Sequence, residues 1–206
     1  MNLRDYPEKD GMMVWLDKQE IRLFLEQAEH TKQRIAFLLG LRSGLRSDEI
    51  VNVAPADVVD SSAGPRVRVW DAKGGKSRET PAPRELVNVA ATLADMRDEP
   101  DDEPMVDVST RTIQRWTKKA AAKCREITDD DGWQFMTPHD MRRTWATQIA
   151  GAEVDSYLVL EWGGWEDLET FRSHYKGAFT PNVQRRELSK VPWMNLKETE
   201  TERVKT

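Results

Sequence analysis

The spacing of apolar residues predicts a mainly helical protein. Apolar residues three and four positions apart recur in residues 21–28, 83–97 and 110–127, which places them on one face of an α-helix. Residues 33–41 are apolar almost throughout, as in a helix buried on all sides. Asp17 and Glu20 form a capping-box pattern ahead of the first helix, and we interpret residues 1–14 as a flexible lead-in. In the later helices, the residues expected to face the protein core are Leu86, Val89, Ala90, Leu93, Met96, Ile113, Trp116, Ala120, Cys124, Ile127, Met141, Trp145 and Ile149.

Residues 67–81 have the pattern of a β-hairpin. Residues 67–70 alternate as Val-Arg-Val-Trp, and residues 77–81 can return antiparallel to them. Gly74 and Gly75 lie between the two runs and supply the positive φ angles of a tight turn. Lys73 and Lys76 then lie at the tip of the hairpin, although a solvated lysine loop is the common alternative. The predicted fold class is α+β, mainly α-helical, with a small antiparallel β-hairpin or sheet on one side.

Length and composition predict one domain without disulfides. A chain of 206 residues is long enough for one well-cored domain. No apolar run reaches the length of a membrane span, and the polar first residues are not those of a signal peptide. Cys124 is the single cysteine, so neither a disulfide framework nor a zinc cluster forms within one chain. We expect a cytoplasmic protein without a metal ion.

The net charge argues against nucleic acid as a partner, but the distribution of charge argues for it. The chain has 31 basic and 36 acidic residues, for a net charge of −5, whereas phosphate contacts usually make DNA-binding proteins basic. Acidic residues concentrate in 95–107, 129–131 and the polar tail, and a high-salt cytoplasm is an alternative reason for them. Basic residues concentrate on the helix over 110–127, which is either a solvated face or a DNA-facing one. They are Arg111, Arg115, Lys118, Lys119, Lys123 and Arg125.

A histidine and an arginine are candidates for binding an oxyanion. His139 and Arg142 are three residues apart, so both can point at one object from the same helix face. Arg offers a planar fork of donors that keeps its charge, which suits a phosphate. Arg46 follows the helix-breaking Gly44, at a junction where Ser47 can cap the next helix. A junction arginine is, taken alone, usually a structural ion-pair residue.

Four segments resemble the motifs of the tyrosine recombinases, the phage integrase family. Residues 137–147 (TPHDMRRTWAT) are similar to the family's H-x-L-R-H-T-x-A-T box, with Arg143 where a His is common. Residues 162–175 (WGGWEDLETFRSHY) resemble the box that ends in the nucleophilic Tyr, with one extra residue before Tyr175. Residues 42–50 (RSGLRSDEI) resemble T-G-L-R-x-x-E, and residues 73–78 (KGGKSR) resemble the family's lysine hairpin. The resemblance spans residues 16–190 and implies an integrase-type catalytic domain that needs no cofactor. It also implies a nucleoid-associated protein of prokaryotic, viral or plasmid origin.

The resemblance implies a role for each motif residue. Tyr175 attacks a DNA phosphate to give a 3′-phosphotyrosyl link, while Lys73 protonates the leaving 5′ oxygen. Arg46 and Arg142 hold the phosphate, and His139 and Trp165 assist, although Trp165 is equally a packing residue after a turn. The catalytic residues predicted in this way are Arg46, Lys73, His139, Arg142, Trp165 and Tyr175. The predicted DNA contacts are Lys76, Arg78, Arg111, Arg115, Lys118, Lys119, Arg125 and Arg143.

The same resemblance implies partners and leaves rival functions open. The expected partners are double-stranded DNA and accessory DNA-bending proteins. Four copies of the chain would form a tetramer on the DNA, joined through residues 191–194. The alternative is that this segment docks on its own chain. Residues 15–194 would form the catalytic domain and 195–206 a disordered tail, with no N-terminal core-binding domain. The chain is then a fragment, a minimal recombinase or a protein that borrows its clamp. Integration or excision of a mobile element is the predicted function; the rivals are a type IB topoisomerase, a non-catalytic DNA-binding regulator and a structural helical domain.

Overall fold

The computed structural model describes residues 1–6, 10–72, 76–97, 101–152, 154–175 and 181–191. Within these ranges only the backbone is described for residues 71–72, 76, 172–175 and 181–184. Three predicted features therefore lie outside the described residues: Lys73, the part of the expected docking segment beyond residue 191, and the polar tail. No helix in the described ranges is both long and apolar enough to cross a membrane.

The first residues form a hairpin, so the prediction of a flexible lead-in was wrong. Strand β1 (Asn2–Asp5) pairs antiparallel with β2 (Met12–Trp15), in a register that joins Asn2 to Trp15. β2 is buried because its apolar side chains pack on a helix more than 120 residues later. There the Val14 amide donates to Asp140 Oδ1 at 3.1 Å, and the Leu16 amide donates to Thr144 Oγ1 at 3.0 Å. These partners are remote in sequence, which is why local pattern did not reveal them.

Helices make up most of the described chain. Asp17 caps the first of them with the expected capping box, and Ser109 and Asp155 cap two later ones. The helices are α1 (Lys18–Glu26), α2 (Thr31–Ser43), α3 (Ser47–Ile50), α4 (Arg84–Met96), α5 (Thr110–Thr128), α6 (Pro138–Gly151), α7 (Ser156–Gly163), α8 (Leu168–Tyr175) and α9 (Pro181–Leu188). Short 3₁₀ helices cover Pro55–Asp57 and Asp131–Phe135.

The hairpin predicted over residues 67–81 is part of a three-stranded sheet. Strands β3 (Val58–Ser61), β4 (Gly64–Ala72) and β5 (Lys76–Pro81) pair antiparallel in that order. Val67 lies opposite Thr80 and Val69 opposite Arg78, and these four side chains are buried. β3 was not predicted, but the α+β, mainly helical class is confirmed. The sheet thus turns an arginine of β5 toward the protein interior.

The core is built around α2, as its apolar sequence predicts. Its residues from Ile35 to Leu41 are buried, and α6 packs across it. The inner face of α5, including Cys124, is also buried. Two predicted core residues at helix ends are exposed instead, because Met96 and Ile127 lie beyond the area that the neighbouring elements cover (78% and 61% exposed). A second, smaller cluster beneath α7 contains Trp145, Ala146, Val159 and Trp165.

Candidate active site

The turn between α2 and α3 places Arg46. Gly44 ends α2 with φ +70°, in the left-handed region that favours glycine. A Cβ on Gly44 would also lie 2.2 Å from Cε3 of Trp145, so the site admits no side chain. Leu45 is buried, and Arg46 occupies the N-cap position of α3 rather than Ser47. The tight turn therefore fixes the backbone of Arg46 against the core.

Glu49 binds two arginines. Its Oε2 accepts the Arg46 amide at 2.7 Å, and its Oε1 accepts Nη1 of the same residue at 2.9 Å. Arg78 donates from Nη1 and Nη2 to the two carboxylate oxygens at 2.7 and 2.8 Å. Burial acts to raise the pKa of Glu49, but the hydrogen bonds and charge of Arg78, the Arg46 amide and the charge of Arg142 lower it to about 2. The carboxylate is therefore ionised at neutral pH.

Arg142 joins the two turns of the site. It is fully buried on α6, and its two terminal nitrogens donate to the carbonyl oxygens of Gly44 and Gly163. Its guanidinium carbon lies 4.6 Å from the ring centre of Trp165, which is the geometry of a cation–π contact. Gly44 precedes Arg46 by two residues, so Arg142 brings the end of α7 next to the turn that carries Arg46.

Trp165 is a packed residue that covers Arg142. Its ring is buried and lies 5.9 Å from the ring of Trp145 and 4.9 Å from that of Phe171, centre to centre. A Cβ on Gly163 would lie 2.0 Å from Cζ3 of Trp165, so only glycine fits beneath the indole. The Gly163–Gly164 pair thus both ends α7 and seats the tryptophan.

The remaining predicted catalytic residues are placed only in part. His139 is exposed in the first turn of α6, three residues before Arg142 on the same helix. Tyr175 is the last residue of α8, with its side chain outside the described atoms. Lys73 lies outside the described residues, and Lys76 begins β5 with only its backbone described. Among the predicted residues, Arg142 and Trp165 are therefore in side-chain contact, and Arg46 lies in the turn whose Gly44 carbonyl binds Arg142.

Two residues predicted to contact DNA are buried in ion pairs, which corrects that assignment. Arg78 is held by Glu49, as described above. Arg143 donates to Asp140 Oδ1 from Nη1 and to the Tyr6 hydroxyl from Nη2 at 3.1 Å. Its guanidinium carbon also lies 5.4 Å from the centre of the Tyr6 ring, so the N-terminal hairpin covers it. Neither side chain presents a donor at the protein surface.

The basic face of α5 is divided between surface ion pairs and unpaired cations. Lys119 and Lys123 both bind Glu29, at 2.9 and 2.8 Å, and Arg125 pairs with Asp131. Three exposed cations form no ion pair with any side chain that the structure describes: Arg111, Arg115 and Lys118. Their spacing of four and three residues places them in one row along the helix. We call this row the α5 stripe.

Sequence reasoning missed the central role of Glu49 and the inward position of Arg78. In the sequence, Glu49 is only the residue that matches the acid of T-G-L-R-x-x-E; in the structure it accepts the Arg46 amide at the start of α3. The position of Arg78 could have been found from the strand alternation, because it pairs with Val69 and shares its face. A buried arginine in a strand then requires a buried carboxylate nearby. Glu49 was the carboxylate in the recombinase-like motifs that could have been proposed as the partner of Arg78.

The fold and this site define the class of protein: an integrase-type catalytic domain. Similar solved structures include the XerA recombinase, with a TM-score of 0.67 and 21% identity, covering 87% of this chain and 65% of that one. The catalytic domain of bacteriophage HP1 integrase is similar over 89% of this chain and 98% of its own length, with a TM-score of 0.56 and 17% identity. Both structures share the fold described here.

Sequence comparison names the family. The sequence pattern of the phage integrase family matches residues 14–180, and the chain belongs to that family. Tyrosine recombinase XerA of Thermococcus onnurineus is 27% identical over 163 residues, and XerA of Pyrococcus furiosus is 26% identical over 160 residues. The matches cover 78% and 75% of this chain but 57% and 54% of those relatives, so the chain spans little more than half of their length.

Proposed function

We propose that this chain is the catalytic part of a site-specific tyrosine recombinase that cuts and rejoins double-stranded DNA. The observation that carries the proposal is the meeting of two motif arginines, nearly one hundred residues apart, at the Gly44 turn: Arg46 lies in this turn, and Arg142 binds the Gly44 carbonyl. Arg46 is partly exposed and can donate to a phosphate whose charge increases during reaction, while the buried Arg142 adds positive charge behind it. The tyrosine recombinases among its relatives support the assignment.

The chemistry requires an ionised phenol and a stabilised phosphorane-like transition state. A tyrosine phenol has a pKa of about 10, so forming its anion at neutral pH costs about 4 kcal/mol. The positive charge of the two arginines lowers that cost and stabilises the developing charge on the non-bridging phosphate oxygens. Removal of one such donor typically slows a reaction about 100- to 1,000-fold. Most of the required stabilisation therefore comes from positions that the fold fixes before DNA binds.

The proposed step exchanges one phosphodiester for another. The Tyr175 phenolic oxygen forms a bond to phosphorus as the bond to the 5′ oxygen breaks, and Lys73 supplies the proton to that leaving oxygen. His139 lies on the same helix as Arg142 and assists with the phosphate or the tyrosine proton. Trp165 holds the Arg142 guanidinium. The covalent link keeps the energy of the broken phosphodiester, so a free 5′ hydroxyl on another strand can reverse the step.

The α5 stripe is the proposed DNA-contacting surface. Arg111, Arg115 and Lys118 are exposed and carry no ion pair among the described side chains, so binding DNA does not require them to leave a protein partner. Neutralised phosphates release condensed counterions, which makes the affinity depend on salt. Assembly into a tetramer through the C-terminal segment, and a role in moving a mobile element, complete the proposal.

A suicide-substrate experiment tests the function. We would incubate the chain with a pool of nicked duplexes carrying a randomised central sequence, isolate covalent protein–DNA adducts on denaturing gels and sequence the trapped DNA. The nick lets the cleaved fragment diffuse away, so the adduct accumulates. We expect an adduct with wild-type protein and none with Tyr175→Phe.

Tyr157→Phe is the matched control, because Tyr157 is an exposed residue of α7. It should leave adduct formation unchanged. An adduct that persists in Tyr175→Phe and disappears in Tyr157→Phe would move the nucleophile to α7. DNA binding without any adduct would favour the non-catalytic regulator instead.

A further inference from the structure

Arg78 lies where three parts of the proposed active site meet. Its two terminal nitrogens bind the two oxygens of Glu49, and its Nε donates to the carbonyl oxygen of Trp162 at 2.9 Å. Its side chain is 4% exposed. All three guanidinium nitrogens therefore have partners inside the protein, in the planar arrangement that an arginine fork favours.

Each of these contacts leads to a different element of the site. Glu49 is the carboxylate that binds the amide and the guanidinium of Arg46. Trp162 precedes Gly163, whose carbonyl accepts from Arg142. Arg78 itself belongs to β5, the strand that follows the predicted catalytic Lys73 in the sequence. One side chain thus connects the first arginine, the turn that seats Trp165 and the lysine hairpin.

Gly164, at the end of α7, leaves space for the side chain of Arg78. Gly164 has φ +65°, and a Cβ built on it would lie 3.0 Å from Cδ of Arg78. The aliphatic part of the arginine therefore passes directly over the glycine backbone. A lysine could not replace the arginine, because a single ammonium cannot bind both carboxylate oxygens and the Trp162 carbonyl in this planar geometry.

We propose that Arg78 is a positioning residue for strand cleavage and does not contact DNA. It holds Arg46 through Glu49, and it holds the α7 turn and the hairpin at fixed positions relative to Arg46. This inference rests on the proposed recombinase function and adds a residue to it. It predicts that loss of the planar fork slows cleavage while leaving the DNA-contacting surface intact.

The first test compares Arg78→Lys with Arg68→Lys. Arg68 lies on the adjacent strand, where it forms an exposed ion pair with Glu79 at 3.1 Å, so this control repeats the same substitution at the surface. We expect Arg78→Lys to slow single-turnover adduct formation about 100-fold, because displacement of a positioned group by about 1 Å has an effect of that size. The affinity for duplex DNA and its salt dependence should not change. Arg68→Lys should behave as wild type.

The second test asks whether Arg78 acts through Arg46. In a double-mutant cycle of cleavage rates, Arg46→Lys and Arg78→Lys together should lose much less than the product of their separate losses. Multiplicative losses would overturn the proposal. A clearly weaker affinity of Arg78→Lys for duplex DNA would also overturn it, because a residue that only holds protein groups in place should not change that affinity.

A third measurement does not need an active enzyme or a change at Arg78. Gly164→Ala and Gly64→Ala both place alanine at positive φ, but Gly64 has no atom within 4 Å of the added carbon. With ¹⁵N-arginine labelling, we expect Gly164→Ala to speed exchange of the Arg46 guanidinium protons with water several-fold, and Gly64→Ala to leave it unchanged. Equal exchange in both variants would contradict the positioning role. If wild-type protein forms no adduct, the proposed function fails while this measurement still decides the role of Arg78.

Discussion

Gly163 leaves the space that the indole of Trp165 occupies, since a Cβ on the glycine would lie 2.0 Å from Cζ3 of the ring. The same glycine offers its carbonyl oxygen to Arg142, over whose guanidinium the indole lies. The absence of one side chain therefore allows a tryptophan and an arginine to occupy adjacent positions.

Gly163→Ala should destabilise the protein, although alanine normally favours a helix over glycine by about 1 kcal/mol. The added methyl displaces Trp165, and overpacking of this kind costs about 1–3 kcal/mol. The expected fall in the free energy of unfolding can be measured with urea. Glu161→Ala, an exposed change on the same helix, should stay within about 0.5 kcal/mol of wild type. An increase in stability for Gly163→Ala would show that the turn opens freely.

The ionisation of Glu49 should make the free energy of unfolding depend on pH in the acidic range. Its pKa is lowered to about 2 in the folded protein, so its contribution is complete above the unfolded pKa near 4.5 and is lost as the pH falls toward 2. The difference corresponds to roughly 3 kcal/mol. Urea unfolding at pH 7, 5, 4 and 3 should show this loss in wild type and a weaker one in Glu49→Gln. Glu85→Gln, which removes an exposed carboxylate paired with Arg34, should retain the wild-type slope.

Arg143 should affect stability and not DNA affinity. It is buried with Asp140, and removal of one partner of a buried ion pair costs about 3–5 kcal/mol because the other charge remains buried. Arg143→Gln should therefore lower the free energy of unfolding by an amount near that range. Below its melting temperature, the variant should bind duplex DNA as wild type does. A loss of affinity without a loss of stability would restore the original prediction of a phosphate contact.

The α5 stripe should determine the salt dependence of DNA binding. Arg115→Gln should weaken binding and reduce the slope of log K against log salt by about one, because one phosphate contact is lost. Lys123→Gln removes the same charge from the same helix, but Lys123 is held by Glu29 off the stripe. Fluorescence anisotropy with labelled duplex between about 50 and 400 mM salt compares them. Equal slopes for the two variants would indicate only a general effect of net charge.

Local pattern was enough to predict the main helices, the cap of α1 and the β4–β5 hairpin, whereas Arg46 and not the predicted Ser47 is the N-cap of α3. Gly44 ends α2 with a left-handed residue, as a glycine at that position suggests, and Asp17 caps α1 through the expected residues. These features depend on neighbours within four residues. Strand alternation indicates the inward side of Arg78, but no local pattern indicates its partner Glu49, 29 residues away, or Tyr6, which covers Arg143 from 137 residues away. Charge alone suggested a surface role for both arginines.

The sequence did not predict how the motif residues are held. Arg46 and Arg142 were assigned to one site by family resemblance; in the structure, Arg46 lies in the turn whose Gly44 carbonyl binds Arg142. Arg142 is held by two backbone carbonyls, and Arg46 by a carboxylate that it shares with Arg78, which no motif specifies. Backbone atoms carry no residue identity, so contacts to them follow only from the three-dimensional path of the chain.

The buried position of Cys124 has a practical consequence for spectroscopy. Burial, with the charge of Glu26, raises the pKa of its thiol to about 12, so almost no thiolate exists at neutral pH. Because this single cysteine is buried and its thiol is protonated, we expect maleimide dyes to label the wild-type protein very little. A cysteine introduced at exposed Ala122, between Lys118 and Arg125 on α5, would therefore accept a dye selectively. Fluorescence from that position would report directly whether duplex DNA approaches this helix.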